Sequence, residues 1–566
     1  MSFFYSVLKS RHAWEILSWL SLVIMGILWA GAGFSKNLSK KQHTLLLFFL
    51  IGFLIINRIL ILFFNHEMNA DESQLLSQSI TLAKHQVYWK SVDGATMGPL
   101  SSYYASIPAY FGFALDFMSL RWTGFLCLIV TVLSTYGAIV NFFSAQTARI
   151  ATFPMVAFLA FALHYDFLHA TNEQLSLALL GLSYWQYSRI WKLQRFTSPG
   201  DLILLAFLCS LIPFAKLQGT PSALVIILAT LIGLFQNRFA LSAAAFRKTL
   251  LLFILGGISF PALVIALTFA FGVFDDFVYF YFLGNLTYSA GGSFAHYVSL
   301  FPAYVHRATD FEYYLAIILL AVIGGLFVPT TRYSNRSLLL FFIGAVLASL
   351  YAIIKPGNEF IHYLLYLLTP CSLLAAWVID RWPSPVYAAV FTSLVVLSII
   401  YKNTHAPASL SRMNQAFNQV PFGHIKMDIS EPSQVALTYA RAGEYLVVWG
   451  WAPRFNVETQ MPMGVCDNHT IRCVLGDAAH QAKHRERYIR NITRTVPPVF
   501  FDAVGKNSTW LTDSKRYGYH VFPELKAFID KYYTLAKTVD DVRIFVRTDR
   551  YLDVTPPAPP AEDSIP

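Results

Sequence analysis

The chain has 566 residues, of which 56% are hydrophobic and only 13% charged, and its formal net charge is +10. Soluble domains carry about 25% charged residues, so these proportions exclude a chain solvated by water alone. The Lys and Arg sit in short loops between apolar runs, which marks membrane orientation and argues against a nucleic-acid partner.

In chain order, apolar runs long enough to span about 30 Å of hydrocarbon fall near 14–33, 44–64, 123–141, 150–164, 172–189, 201–214, 221–236, 249–272, 312–330, 337–354, 360–380 and 384–402. They predict a polytopic α-helical membrane protein with about twelve transmembrane helices. The 48 Phe, 30 Tyr and 12 Trp fit its aromatic belts. The first run lacks a small-residue cleavage site and further spans follow it, so no cleavable signal peptide is expected. After Lys402 the composition turns polar. Strand-like "YLVVWGW" and "VRIFVRT", with helix-like "FPELKAFIDKYY" between them, predict a small soluble α/β domain. The expected organisation is a transmembrane domain over 1–402 with a first outer loop at 65–122, the soluble domain over 403–552, and a disordered Pro-rich tail over 553–566.

Charge sets the sidedness. Lys36, Lys40 and Lys41, then Arg189, Lys192 and Arg195, then Arg238, Arg247 and Lys248, then Arg332 and Arg336 all lie in loops that belong on the cytoplasmic side. This holds if 103–120 lies in or on the membrane without crossing it. Lys9 and Arg11 then face outward, against the rule. The opposite orientation violates four loops to repair one. Loops 65–122, 165–172, 214–221, 273–311 and 355–360 and the soluble domain therefore share the outer face.

Those outer loops hold the polar residues of interest. The first, "NHEMNADESQLLSQ", places Asp71 and Glu72 just past a span. The second offers His164, Asp166, His169 and Glu173; the third, "PFAKLQGTPS", offers Lys216; the later "IIKPGNEFIHYLLYLLTP" offers Lys355 and His362. Arg58 lies about two turns inside the second span, too deep to snorkel, so an internal partner or the lipid phosphate is expected. Charges at membrane depth are costly and mark function. Carboxylates, lysines and histidines converging on one side of a bundle are what a phosphate-bearing lipid needs. Three of the five cysteines lie in apolar runs and read as packing. Cys466 and Cys473, in "GVCDNHTIRCVLG", lack a zinc spacing. On the outer face they are expected to close a small disulfide loop.

At these residues the chain resembles the polyprenyl-phosphate-sugar-dependent glycosyltransferases of the GT-C fold, which include protein O-mannosyltransferases and the lipid A aminoarabinose transferase. The resemblance rests on "NADESQLLSQSITLAKHQVYWKSVDGATMGPLSSYYASIPAYFG", on "HATNEQLSLALLGLSYW", on "IHYLLYLLTP" and on "YLVVWGWAPRFNVETQMPMG". It implies inverting transfer of a sugar from a polyprenyl-phosphate carrier to a hydroxyl on a lipid, glycan or protein, at the periplasmic face of a bacterial inner membrane. Asp71 would be the general base, with Glu72 and Glu173 as acceptor or metal candidates and Lys216, Lys355, His362 and Arg58 as donor-phosphate candidates. The last motif usually carries Arg before its Tyr; here it is His362, which makes Lys355 the substitute.

Each residue has a plainer reading. An acid after a span is usually solvated or a cap, a helix-opening Glu suits the dipole, and a surface Lys can snorkel. No ligand spacing supports a metal at His66, His164 or His169, and a divalent metal stays an open alternative. A transporter or flippase for lipid-linked sugars is the rival function. It calls for midplane charges and repeated halves, whereas the charges here are at helix ends and no repeat is visible.

Overall fold

The computed structural model describes residues 11–34, 38–286, 292–326, 335–382, 384–405 and 426–554. Lys9, Lys36 and Arg332 of the sidedness argument lie outside the described residues, as does the Pro-rich tail from residue 555 onward. The chain divides into two compact units, one of residues 1–64, 121–270 and 287–425, the other of residues 65–120, 271–286 and 426–566.

Among the described residues, the regular structure of the first unit is helical. Helices occupy all twelve apolar runs: Arg11–Phe34, Lys40–Leu62, Phe117–Phe142, Ala145–Phe161, Glu173–Leu193, Pro199–Ala215, Thr220–Gln236, Ala243–Ala270, Thr309–Leu326, Arg336–Ile354, Leu368–Ile379 and Pro385–His405. Among the described residues eight are long and apolar enough to cross a membrane, or nine if the pair Phe294–Arg307 and Thr309–Gly325, bent by 105°, is one broken span. Ala145–Phe161 and Pro199–Ala215 are shorter apolar helices. The protein is thus a polytopic α-helical membrane protein.

Local chemistry sets the ends of these helices. Ser39 and Gln42 form a reciprocal capping box before Lys40–Leu62, and Pro199 and Pro221 occupy the first turn of their helices, where a missing N–H costs nothing. Burial separates core from rim. The apolar window of Ile361–Ile379 is 89% buried, against 17% for Ala243–Ala270, so the former runs through the core and the latter presents its side chains outward.

The second unit is built on a four-stranded mixed sheet of β1 (Leu446–Trp449), β2 (Val499–Asp502), β3 (Tyr533–Val539) and β4 (Val542–Arg547). The strand order is β1-β2-β4-β3, with β1 and β2 parallel and the other pairs antiparallel. Strand alternation feeds two cores. Val447, Trp449, Phe500 and Phe545 face one, with Tyr488 and Ile492 of the helix Ala478–Thr495; Leu446, Phe501, Ile544 and Val546 face the other, with Phe455.

Residues 65–120 belong to this unit. The stretch expected to lie in or on the membrane holds a short helix, Pro99–Tyr110, that stops before Phe117 starts the next, and Ile107, Tyr110, Phe111 and Phe113 are exposed. Hydrogen bonds tie the segment to the C-terminal part: Asp93 N donates to Cys466 O at 2.7 Å and Met463 N to the Thr81 hydroxyl Oγ1 at 2.9 Å.

The expected disulfide is not formed. Cys466 and Cys473 are free and buried. The Asn491 amide donates to Cys466 Sγ at 3.0 Å, while Cys473 packs beside Tyr488 and Trp449 in the aromatic core. Burial pushes both thiols well above their usual range, so each behaves as an inert core residue.

Candidate active site

In the helical unit, three connections bring charge together. The first leaves Ala145–Phe161, makes the short helix Tyr165–Leu168 and reaches Glu173, which opens Glu173–Leu193. The second leaves Pro199–Ala215 through Lys216, whose extended backbone (φ −156°, ψ 126°) ends the helix. The third is the 3-10 turn Ile361–Leu367, which carries His362.

The Lys216 ammonium lies 2.9 Å from Glu173 Oε1, with only 6% and 1% of the two side chains exposed. At such burial desolvation is severe, and an ion pair persists only with close geometry. On the other side of Glu173, Oε2 is 3.8 Å from His362 Nε2, and His362 Nδ1 is 3.9 Å from Asp166 Oδ2. Asp166 Oδ1 in turn lies 4.0 Å from His169 Nδ1. Lys216 also stands 5.7 Å from the Tyr363 ring centre, a cation–π distance.

His169 Nδ1 is 2.9 Å from the Tyr165 carbonyl. A carbonyl only accepts, so Nδ1 carries the proton and Nε2 keeps its lone pair. Nε2 is buried with no hydrogen-bond partner among the described residues, and so are Ser176 Oγ, Gln218 Oε1 and Thr220 Oγ1. Buried polar atoms are nearly always satisfied, so this set is what a polar ligand would complete. Gly219 is required where the second connection passes the Glu173 helix: a Cβ there would lie 2.4 Å from Ser176 Oγ and 2.5 Å from Ile212 Cγ2. His169 and His362 stand with ring centres 5.7 Å apart and planes at 90°. Imidazoles are ligands that suit a divalent metal.

The remaining phosphate candidates are placed differently. Arg58 is buried, and it donates from Nε to the Leu159 carbonyl at 2.6 Å and from Nη2 to Phe167 O at 2.9 Å. It therefore braces the connection that carries Asp166 and His169. Lys355 is exposed at the end of Arg336–Ile354, and no ion pair among the described residues joins it to Glu173.

A second buried pair went unread in the sequence. Asp310 accepts the Leu163 and His164 amides, each at 2.7 Å, and pairs with Lys402, which also donates to Phe161 O at 2.7 Å. Together Arg58, Asp310 and Lys402 satisfy the open end of Ala145–Phe161 and fix the loop that follows. The only sequence signal was a Lys at the far end of the last span and an Asp beside a helix start.

In the second unit, Asp71 is half-buried in the first turn of Ala70–Lys84, capped by Asn69, whose Oδ1 accepts the Asp71 amide at 3.0 Å. Glu72 is fully buried and its Oε2 accepts the Met68 amide at 3.1 Å. It acts there as a brace for the turn. Glu67, bonded by Ser73, has its carboxyl pushed up, chiefly by burial. A further cluster joins segments far apart in sequence: Arg487 reaches Asp93 at 2.6 Å and also Asp467, which is 3.2 Å from His484 Nδ1. No spacing in the sequence announces it.

No protein-family model matches the chain, and no curated protein sequence does. Among solved structures, ArnT from Cupriavidus metallidurans bound to undecaprenyl phosphate is similar at a TM-score of 0.53 and 11% identity, over 88% of this chain and 97% of that one. The apo state of the same protein gives 0.49 and 11%, over 89% and 98%. The Archaeoglobus fulgidus oligosaccharyltransferase with a tethered acceptor peptide gives 0.40 and 10%, over 80% and 69%. The chain thus has the GT-C fold, shared with ArnT along nearly its whole length.

Proposed function

We propose that this protein is a glycosyltransferase that moves a sugar from a polyprenyl-phosphate donor to a hydroxyl acceptor at the outer face of a bacterial inner membrane. The observation that carries this reading is the buried Lys216–Glu173 pair with His362 beside it, in a fold shared with a protein whose structure holds undecaprenyl phosphate. A buried ammonium held in place by a carboxylate is suited to a lipid phosphate. Glu173 then holds Lys216 in place until the phosphate arrives.

In the proposed reaction the acceptor oxygen attacks the anomeric carbon as the bond from that carbon to the phosphate oxygen breaks. The bonding pair leaves with the polyprenyl phosphate, whose growing negative charge Lys216 stabilises. Asp71 takes the acceptor proton. A single displacement inverts the anomeric centre and needs one base. Asp71 is supported by the motif around it and by its half-exposed place at a capped helix start, whereas its neighbour Glu72 is spent on the Met68 amide. Should a divalent metal bind, His169 and His362 would hold it, and it would supply positive charge beside the leaving phosphate.

The test is transfer in proteoliposomes from polyprenyl-phosphate sugars, read as free polyprenyl phosphate and glycosylated acceptor by mass spectrometry. Lys216→Ala should abolish most turnover, with Lys216→Arg recovering part of it. Full turnover in Lys216→Ala would remove the phosphate role.

A further inference from the structure

The helix Ala478–Thr495, in the second unit, carries a feature that the transfer reaction does not use. His480 and His484 are four residues apart and so share a face. Their Nε2 atoms stand 3.2 Å from each other. His484 Nδ1 is 3.2 Å from Asp467 Oδ1, and Arg487 Nε holds Asp467 Oδ2 at 3.2 Å. A carboxylate on Nδ1 fixes the proton there, so the Nε2 lone pair of His484 points toward His480. The rings are held in place: Phe280 packs edge-on against His484 at 4.8 Å, and Tyr279 stacks on His480 at 5.8 Å and 25°.

Two nitrogens on one tetrahedral zinc at 2.0–2.1 Å lie about 3.3 Å apart, so the pair already has a ligand's spacing. The Asp467–His484 contact is the carboxylate–histidine arrangement that orients metal-bound imidazoles. His484 is buried and His480 half-buried, which leaves an approach from solvent through His480. Arg472 and Arg487 bring positive charge near the pair, while Asp467 and Asp477 oppose it. We propose that His480 and His484 form a binding site for a divalent transition-metal ion, zinc being the one that two neutral imidazoles and water suit. The site is independent of the transfer reaction.

The test is calorimetric titration of zinc chloride into the untagged, chelator-treated full chain in detergent, compared with His480→Ala and His480→Asp. Asp can ligate zinc from a helix surface and the methyl group cannot. One zinc equivalent should disappear, or weaken at least tenfold, in His480→Ala and be largely retained in His480→Asp. Because His480 is half-exposed, both variants keep the core, and an unchanged melting temperature verifies this. Unchanged zinc stoichiometry and affinity in His480→Ala, or no saturable binding by the parent chain, would overturn the site and leave a simple hydrogen bond between two neutral histidines.

Discussion

Lys216 and Glu173 illustrate how little a single residue reveals by itself. In the sequence each had an ordinary reading, a snorkelling lysine and a helix-opening acid. In the structure they are one buried ion pair, and the loss of either strands the other. Glu173→Gln should therefore lower donor binding as well as turnover, seen as a rise in KM together with a fall in kcat. Asp71 should behave differently. If it removes the acceptor proton, Asp71→Asn lowers kcat by roughly 10²–10⁴-fold with the donor KM little changed. Donor titrations of both variants in proteoliposomes separate the two roles. Equal effects on KM would contradict the assignment of Asp71.

At the scale of elements, the end of Ala145–Phe161 and the loop after it are fixed by Arg58, Asp310 and Lys402. Breaking a buried pair from one side costs about 3–5 kcal/mol, so Asp310→Ala should lower the melting temperature of the detergent-solubilised chain and impair transfer through the loop bearing Asp166 and His169. The double variant Asp310→Leu, Lys402→Met should not restore that stability, because the Leu163 and His164 amides and the Phe161 carbonyl stay unpaired. A melting temperature unchanged by Asp310→Ala would refute this bracing. The helices themselves were legible, since a run of twenty apolar residues has one solution in lipid. At its depth Arg58 called for an internal partner or the lipid phosphate; the internal partners are carbonyls of residues a hundred positions away, which no local pattern announces. The Cys466–Cys473 loop was misread for a related reason: sequence separation permits a bridge, but the helix Ala478–Thr495 and the sheet draw each thiol into separate packing.

For the whole molecule, acid stability should be set by the second unit. His469 is pushed down to about 4, first by burial and then by Arg472. Its unfolded pKa is about 6.5, so the unfolded chain takes up this proton first, and stability is full above about pH 6.5 and falls as pH drops toward 4. Burial raises the Asp467 carboxyl, but Arg487 outweighs it and holds the group well below the usual range. A depressed carboxyl adds a further loss below about pH 4. Thermal unfolding from pH 8 to 4 should show this decline, with a shallower slope in His469→Gln; an identical slope would exclude His469 as its source. How far the sequence spoke for these clusters follows from chain distance: a local motif singles out Asp71 as a candidate, whereas Asp93, Asp467 and Arg487 meet across nearly 400 residues and leave no local pattern. The central claim is sugar transfer from a lipid phosphate. Its most direct test replaces the gene by one encoding Asp71→Asn and compares lipids and envelope glycans by mass spectrometry. The account predicts one sugar residue missing from a glycan, lipid or protein, with its polyprenyl-phosphate-linked donor accumulated. Identical mass profiles in the two strains would contradict it.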